Sequence, residues 1–260
     1  MGGVSKRIAV TGAAGALGSA VVRRLRDRAD VIAVTRRPDA VAPGVEVRRA
    51  DFDDIGPAAF AGADAVLVVS TDHRDNGHRA AQHAAALTAA AAAGAGHLVY
   101  TSLVGCDGPP DLLNAAHRET EAALRTAGPP WTALRNNLYL EGLDGLRAAA
   151  AATGRHVSNA GAGAVSYVSR SRCAEIAAET LLGPARGVVE VHGPRPLDTA
   201  AVAALLSARL SGPVEPVLLD DERYADHLLS TGTPPALAAA LVALGQAVRA
   251  GVYTGPRRPS

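Results

Sequence analysis

The sequence is poor in the side chains that mark several specialised protein classes. Aromatic residues make up only 3% of the 260 residues, so the core must be built from Ala, Val and Leu. The two cysteines, Cys106 and Cys173, lie too far apart to indicate a metal clip or a redox motif, and we expect two buried thiols and no metal. The charge is balanced at 26 basic and 25 acidic residues, with no basic run near aromatics, which argues against a nucleic-acid partner.

Long hydrophobic runs are also missing. The longest alanine-rich stretch, Ala84 to Ala93, is too short to span a bilayer and is expected to be helical. The N-terminal residues lead directly into an apolar run without the features of a signal peptide, so we expect a cytoplasmic protein without a membrane partner. The tail from Gly255 is expected to be frayed. The apolar fraction of 48% is enough for a full core.

Apolar runs of strand length alternate with helical patterns through the first half of the chain. Most of these runs are continuously apolar, which is typical of parallel strands covered on both faces. Repeated βα units of this kind predict an α/β fold with a doubly wound parallel sheet. The predicted strands are Arg7–Val10, Val31–Val34, Val45–Arg48, Ala65–Val69, Leu98–Thr101 and Trp131–Leu134, and the predicted helices are Ser19–Arg28, Gly56–Ala61, Arg79–Ala93 and Ala115–Thr126.

The alternation of strand-like and helical segments ends near residue 138. We therefore predict a dinucleotide-binding domain over 1–137 and a small α/β cap over 138–260, mainly for substrate, with some segments returning to the sheet. The strands predicted in this part are Ala164–Val168 and Val188–Val191, and the helices are Gly142–Thr153, Arg172–Leu182, Thr199–Leu210, Asp221–Leu229 and Pro234–Ala250.

The residues from Thr11 to Gly18 form a glycine-rich turn between a predicted strand and a predicted helix. Such a turn lets a dinucleotide pyrophosphate lie against backbone at a helix N-terminus. Gly12 permits the tight turn, Gly15 leaves room for the phosphate and Gly18 allows close packing of helix on strand. The turn's backbone at Ala14, Ala16 and Leu17 completes the predicted phosphate contact. The alternative is an ordinary βα turn that needs small residues only for packing.

The loop after the second predicted strand carries Arg36 and Arg37, where an NAD-specific site places an acidic residue on the ribose 2′-hydroxyl. A guanidinium instead matches a 2′-phosphate through charge-assisted hydrogen bonds. These arginines predict NADP(H) as the cofactor, and the alternative is a solvated basic loop.

Other strands of the predicted sheet also end in polar residues. Asp51 is expected to accept from the adenine amino group, with Phe52 as a wall for the base. The alternative is that one or two of the acids at 51, 53 and 54 cap the next helix, and both roles can hold with different acids in each. Small hydroxyl residues at the following strand ends let a cofactor lie across them. These residues are Ser70, Thr71, Thr101 and Ser102.

An ordered set of motifs, taken together, resembles the NmrA-like atypical short-chain dehydrogenases, and most closely the type 2 NADPH:quinone oxidoreductases. The resemblance covers nearly the whole chain. Its motifs are the glycine turn, Arg36-Arg37-Pro38, Arg79-x-x-Gln82-His83, Val99-Tyr-Thr-Ser-Leu103, His117-x-x-Thr120-Glu121 and Leu134-Arg-Asn-x-x-Tyr139-x-Glu141.

The resemblance implies an unusual catalytic site. His117 stands where catalytic short-chain dehydrogenases have the lysine of Tyr-x-x-x-Lys, which puts Leu113 at the tyrosine position, and either Ser102 or Leu103 occupies the serine position. His117 is expected to hydrogen-bond the nicotinamide ribose, and Asn136 to lie beside the carboxamide. Tyr139 either lines the substrate pocket or donates a proton, or is simply a partly buried cap residue.

We therefore expect an NADPH-dependent reductase that transfers hydride directly to a quinone-like or related electron-poor carbonyl or enone acceptor. The alternative is a regulatory protein of the same family that senses NADP(H) without turnover. A homodimer is possible within this superfamily, because one long helix face of each subunit often pairs.

Overall fold

The computed structural model describes residues 5–109 and 111–255. Its contacts divide the chain into two compact units. The first contains Met1–Pro110, Asn114–Asn136 and Arg170–Val191, and the second contains Asp111–Leu113, Asn137–Ser169 and His192–Ser260. The chain therefore passes between the two units several times: it enters the second unit at Asp111, at Asn137 and at His192.

The strands and helices are numbered in chain order. The strands are β1 Arg7–Thr11, β2 Asp30–Thr35, β3 Glu46–Arg49, β4 Ala65–Val68, β5 His97–Leu103, β6 Trp131–Asn136, β7 Arg155–Ser158, β8 Gly187–Val191 and β9 Glu215–Leu218. The helices are α1 Ala16–Leu25, α2 Asn76–Ala92, α3 Ala115–Thr126, α4 Asp144–Thr153, α5 Arg170–Leu182, α6 Thr199–Leu210, α7 Asp221–Ser230 and α8 Pro235–Arg249.

A seven-stranded parallel sheet forms the centre of the first unit, in the order β3-β2-β1-β4-β5-β6-β8. Its inner strands are continuously buried, as the apolar runs predict, and small residues fill much of the core. The predicted doubly wound α/β fold is confirmed. Because every strand runs the same way, their carboxyl ends meet at one edge of the sheet.

Several element boundaries differ from the sequence prediction for local reasons. Helix α1 begins three residues early, since Gly15 is its N-cap and the small residues after it are helical. Helix α2 begins at Asn76 because the Asp75 side chain accepts a 2.6 Å hydrogen bond from the backbone N–H of His78. The helix predicted over Gly56–Ala61 is only a short 3₁₀ turn at Pro57–Phe60.

The second unit combines helices α4, α6, α7 and α8 with a two-stranded parallel sheet of β7 and β9. Neither strand was predicted, because each is only four residues long; β7 has a single apolar residue, Val157, and β9 contains Pro216, which is unusual within a strand. The predicted strand Ala164–Val168 is wrong: its pairing consists only of isolated bridges, Val165 with Leu197 and Val168 with Tyr139.

The frayed tail was predicted from Gly255 onward, and residues 256–260 lie outside the described residues. Within the described part of the chain, no helix combines the length and apolarity needed to cross a membrane.

Candidate active site

The glycine turn follows β1 at the carboxyl edge of the sheet. Gly12 has a φ of +60°, a conformation that favours glycine, and its carbonyl oxygen accepts a 2.8 Å hydrogen bond from the Gly15 N–H. A Cβ added to Gly18 would lie 2.2 Å from that same carbonyl oxygen. Gly18 is therefore required for α1 to pack against the turn.

The N-terminus of α1 carries no side-chain cap, since its N-cap residue is Gly15. The backbone N–H groups at Ala16 and Leu17 thus begin a helix whose positive dipole end has no side-chain cap among the described residues. A Cβ on Gly15 would lie 3.1 Å from the Gly12 carbonyl oxygen, so only a glycine leaves this concave backbone unfilled. These features fit the pyrophosphate of a dinucleotide.

Of the two arginines of the β2 loop, Arg37 contacts this turn and Arg36 faces Asp51. Arg37 Nη2 donates a 3.3 Å hydrogen bond to the Ala14 carbonyl oxygen, which ties the loop to the turn. The Arg36 side chain is 73% exposed, and its Nη1 lies 3.8 Å from Asp51 Oδ2. A groove of about 860 Å³ opens beside it, and its charged lining residues are Arg36, Arg48, Arg49, Asp51 and Asp54.

The acidic residues after β3 do not cap the next helix, and that alternative is wrong. The 3₁₀ turn that follows has Gly56 as its N-cap and no side-chain cap. Asp51 Oδ1 instead accepts a 3.3 Å hydrogen bond from the Asp53 N–H, and Asp53 Oδ1 accepts a 2.7 Å bond from Gln82 Nε2. The Phe52 ring packs partly buried against the core, edge-on to the His83 ring at a centroid distance of 6.4 Å.

Hydroxyl side chains join the ends of the central strands. Thr11 Oγ1 accepts a 2.8 Å hydrogen bond from the Val69 N–H, and Thr101 Oγ1 accepts one of the same length from the Ser70 N–H. The Thr71 hydroxyl donates to Gln82 Oε1 at 2.9 Å. These bonds tie the segment that follows β4 to side chains of β1, β5 and α2.

His83 is fully buried on α2, and its hydrogen bonds define its tautomer. The Thr71 backbone N–H donates to His83 Nε2 at 2.9 Å, so this nitrogen is the acceptor and the ring proton lies on Nδ1. His83 Nδ1 then donates to Thr120 Oγ1 at 2.9 Å. Burial, reinforced by the charge of Arg79, lowers the pKa of His83 to about 3, so the ring is neutral near pH 7.

His117 on α3 is buried beside His83, and its two ring nitrogens also have hydrogen-bond partners within the protein. Arg79 Nη2 lies 3.2 Å from His117 Nε2, and a guanidinium can only donate, so His117 Nδ1 carries the proton and donates to the Tyr100 hydroxyl at 2.7 Å. Burial, with the charge of Arg79 and the neighbouring His83, lowers the pKa of His117 to about 3. Both ring nitrogens therefore have protein partners, and the ring is neutral.

Ser102 belongs to a buried polar cluster at the end of β5. Its hydroxyl donates a 2.6 Å hydrogen bond to Glu121 Oε1, and Arg135 on β6 donates to both Glu121 oxygens at 2.9 and 2.8 Å. Burial alone would raise the Glu121 pKa, but the Arg135 and Ser102 hydrogen bonds bring it below its ordinary value. Asp107 forms a second ion pair with Arg135. The Ser102 hydroxyl is thus already committed to a carboxylate.

The remaining predicted catalytic residues lie in different units. Asn136 is the buried last residue of β6 in the first unit, and its carbonyl oxygen accepts a 3.1 Å hydrogen bond from the Val104 N–H. Tyr139 belongs to the second unit, where it is the half-buried N-cap of a 3₁₀ turn, Leu140–Leu143. Leu113 precedes α3 and also belongs to the second unit. Their roles stay predictions.

Two charged residues of this edge had no role in the sequence interpretation. Arg79 lies in the first turn of α2 and contacts His117, while Arg135 neutralises a buried carboxylate from within an otherwise apolar strand. The sequence did single out both positions, because Arg79 and Arg135 belong to the motifs of the family resemblance. Neither partner was visible in sequence, since both contacts join residues that are 14 or more positions apart.

The fold and the glycine turn define a dinucleotide-binding protein, and comparisons with known proteins agree. The model of the family described as NAD(P)H-binding matches residues 12–184. Quinone oxidoreductase 2 of Escherichia coli is 33% identical over 242 residues, covering 89% of this chain and 84% of that protein. Its structure with NADPH has a TM-score of 0.86 at 31% identity, covering 95% of this chain and 91% of that one.

Two further relatives are reductases of other acceptors. One is the (4-alkanoyl-5-oxo-2,5-dihydrofuran-3-yl)methyl phosphate reductase of Streptomyces griseus, 31% identical over 94% of this chain and 88% of that protein. The other is the triphenylmethane reductase of Citrobacter sp. with NADP(H), with a TM-score of 0.80 at 32% identity, covering 96% and 92% of the two chains.

The chain belongs to the NAD(P)H-binding family, and within it is an NAD(P)H-dependent oxidoreductase. The predicted likeness to NmrA-like quinone oxidoreductases is confirmed.

Proposed function

We propose that this protein is an NADPH-dependent reductase of quinones or related electron-poor carbonyl and enone acceptors, acting without a Tyr-x-x-x-Lys pair. When bound, reduced nicotinamide supplies a hydride, which carries two electrons and one proton, and water supplies the second proton of the hydroquinone. The protein would then bind and orient the cofactor and the acceptor, and exclude competing reactions.

The residues proposed to hold the cofactor follow the carboxyl edge of the sheet. The uncapped N-terminus of α1 and the turn at Gly12, Ala14 and Gly15 would take the pyrophosphate. Arg36 and Arg37 would take the 2′-phosphate, which favours NADP(H) over NAD(H). The proposed contacts to the rest of the dinucleotide are Asp51, Phe52, Ser70, Thr71, Thr101, Ser102 and His117.

One observation carries the proposed acceptor class: the polar groups at the expected proton-donor positions are already occupied. The Ser102 hydroxyl donates to Glu121, and both nitrogens of the neutral His117 have protein partners. The Tyr100 hydroxyl is fully buried, and burial raises its pKa. Such a site favours an acceptor whose reduced product water can protonate, without an acidic side chain beside it.

Quinones meet that condition and simple ketones do not. Hydride addition to a ketone makes an alkoxide, a strong base that requires a positioned acid in the transition state. Hydride addition to a quinone makes a phenolate-like anion whose charge the ring delocalises, and water can protonate it. Two of the substrates named for the relatives, a quinone and an acyl dihydrofuranone, are electron-poor carbonyl compounds and support the same acceptor class.

Asn136 is proposed to orient the nicotinamide carboxamide, and Tyr139 to line the acceptor pocket. Residues 138–260 are proposed to form most of the acceptor-binding part, apart from Arg170–Val191, which belong to the first unit.

The test follows NADPH oxidation at 340 nm with purified protein and two acceptor panels, small quinones and simple cyclic ketones. We expect turnover with quinones and none with ketones. Equal turnover of ketones would show that a proton donor is present, and would contradict the proposal. Tight NADP(H) binding without turnover of any acceptor would instead favour an NADP(H) sensor.

A further inference from the structure

Arg49 is an exposed cation whose charge the protein does not match. It is the last residue of β3, and within the described part of the chain its side chain forms no hydrogen bond and no ion pair. The preceding Arg48 differs, because it donates to Glu46 Oε1 at 2.8 Å and to the Ala58 carbonyl oxygen at 3.1 Å. Arg49, unlike Arg48, is therefore available to a ligand.

The register of the sheet places Arg49 next to the loop that carries Arg36. Arg49 pairs with Thr35, the last residue of β2, and the Ala50 N–H donates a 3.2 Å hydrogen bond to the Thr35 carbonyl oxygen. Arg36 follows Thr35 directly. Because neighbouring strands lie only about 4.8 Å apart, Arg36 and Arg49 stand side by side at the carboxyl edge of the sheet.

Both arginines line the same groove of about 860 Å³. The Arg36 side chain is 73% exposed, and the carboxylate that faces it, Asp51, lies 3.8 Å away, near the limit of an ion pair. Asp54 also lines the groove, and among the described residues neither acid forms an ion pair with Arg49. The groove therefore holds two accessible guanidinium groups, and neither has a close partner for its charge.

A phosphate monoester is the group that fits two such guanidiniums. It carries a charge of about −1.5 to −2 near pH 7 and has three acceptor oxygens, whereas each guanidinium offers paired N–H donors in a plane. A neutral ligand would leave the two like charges unmatched. The carboxylates of the same groove suit a hydrogen-bond donor such as the adenine amino group, so the groove fits an adenosine that carries an additional phosphate.

We propose that Arg49 binds the 2′-phosphate of NADP(H) together with Arg36, so that adjacent strand ends hold the phosphate between them. The proposal rests on the proposed cofactor site, and it adds a specificity residue on β3 to the arginines of the β2 loop. Arg49 then strengthens the binding of NADP(H) and leaves that of NAD(H) unchanged.

Three small ligands isolate this contact. Adenosine 5′-monophosphate lacks the second phosphate, adenosine 2′,5′-bisphosphate carries it on the 2′ oxygen, and adenosine 3′,5′-bisphosphate carries the same charge on the neighbouring oxygen. Their dissociation constants are measured by calorimetry for the wild type and for Arg49→Gln. We expect a loss of at least about fivefold for the 2′,5′-bisphosphate and less than about a twofold change for the other two ligands. The same selective loss is expected for NADP⁺ relative to NAD⁺.

Arg186→Gln is the matched control. Arg186 is exposed and precedes β8 at the opposite, amino edge of the same sheet, so removing its charge should leave all the dissociation constants unchanged. Denaturant unfolding followed by Trp131 fluorescence checks the fold of both variants. Because the Arg49 side chain has no partner among the described residues, Arg49→Gln should unfold at the same denaturant concentration as the wild type.

The possible results are distinct. A loss of equal size for the two bisphosphates would make Arg49 a source of general electrostatic attraction, and an equal loss for all three ligands would make it a structural residue; either overturns the proposal, as does unchanged binding. If Arg36→Gln selectively weakens the 2′,5′-bisphosphate and Arg49→Gln does not, the NADPH preference stands and the role of Arg49 is refuted. A wild type that binds NAD⁺ as tightly as NADP⁺ would refute the proposed cofactor preference as well.

Discussion

Arg135 and Glu121 form an ion pair in which both side chains are almost fully buried, at 3% and 2% exposure. Glu121→Gln leaves the buried Arg135 guanidinium with only the exposed Asp107 carboxylate as an ion partner, so it is expected to cost roughly 1–3 kcal/mol of unfolding free energy. Denaturant unfolding followed by the fluorescence of Trp131, the single tryptophan, measures this. Glu119→Gln, an exposed change on the same helix, should alter stability by less than about 0.5 kcal/mol.

A double-mutant cycle isolates the pair itself. Glu121→Met combined with Arg135→Met should cost clearly less than the sum of the two single changes, because each single variant keeps one buried charge whose remaining ion partner is exposed, and the double variant keeps neither buried charge. Strict additivity would contradict this account of the pair.

Gly18→Ala is expected to impair both stability and cofactor binding. The added methyl group meets the Gly12 carbonyl oxygen at 2.2 Å, so α1 must shift away from the turn, at a cost of roughly 1–3 kcal/mol. We also expect at least a tenfold weaker NADP⁺ affinity, measured by calorimetry.

Gly145→Ala provides the control for that change. Gly145 lies in α4 with nothing within 4 Å of an added Cβ, so the same substitution should stabilise by about 0.5–1 kcal/mol and leave NADP⁺ affinity unchanged. Equal effects of the two substitutions would contradict the close approach of Gly18 to the turn.

The double change Arg36→Ala with Arg37→Ala is expected to weaken NADPH far more than NADH. Charge-assisted hydrogen bonds to a phosphate are worth about 1.5–3 kcal/mol each, which predicts at least a tenfold selective loss. Arg23→Ala, an exposed change on α1, should leave both affinities unchanged. If NADPH and NADH weaken equally, the 2′-phosphate assignment is wrong.

Stability is expected to fall as the pH is lowered from 7.5 to 5.5. In the folded protein, burial lowers the pKa of His83 and His117 to about 3 and of His97 to about 4. In the unfolded chain the pKa of each histidine is about 6.5. Between pH 7.5 and 5.5 the unfolded state therefore binds more protons than the folded state, and lowering the pH favours unfolding. Each histidine then contributes roughly 1.4 kcal/mol that is present above pH 6.5 and lost toward acid.

The measurement is the unfolding free energy of the first unit, from Trp131 fluorescence, at several pH values. His97→Gln keeps a partner for Thr132 Oγ1 and should reduce the slope by about one third. A flat profile between pH 7.5 and 5.5 would show that these histidines are not held neutral.

The first half of the fold was predictable because its signals are local. Continuously apolar strands such as Ala65–Val68, and the glycine turn before α1, follow from residues adjacent in sequence. The same principle explains the failures. Strands β7 and β9 are too short to show a hydrophobic pattern, and each pairs with the other across about sixty residues of chain.

The sequence by itself determined the doubly wound sheet, the glycine turn and the arginines of the β2 loop, because each depends on residue type and short spacing. Only the tertiary structure decided which polar groups at the sheet edge are occupied. Ser102 is bound to Glu121, and His117 lies between Tyr100 and Arg79. These partners come from separate elements, and a hydrogen bond depends on distance and direction in space, which no spacing along the chain encodes.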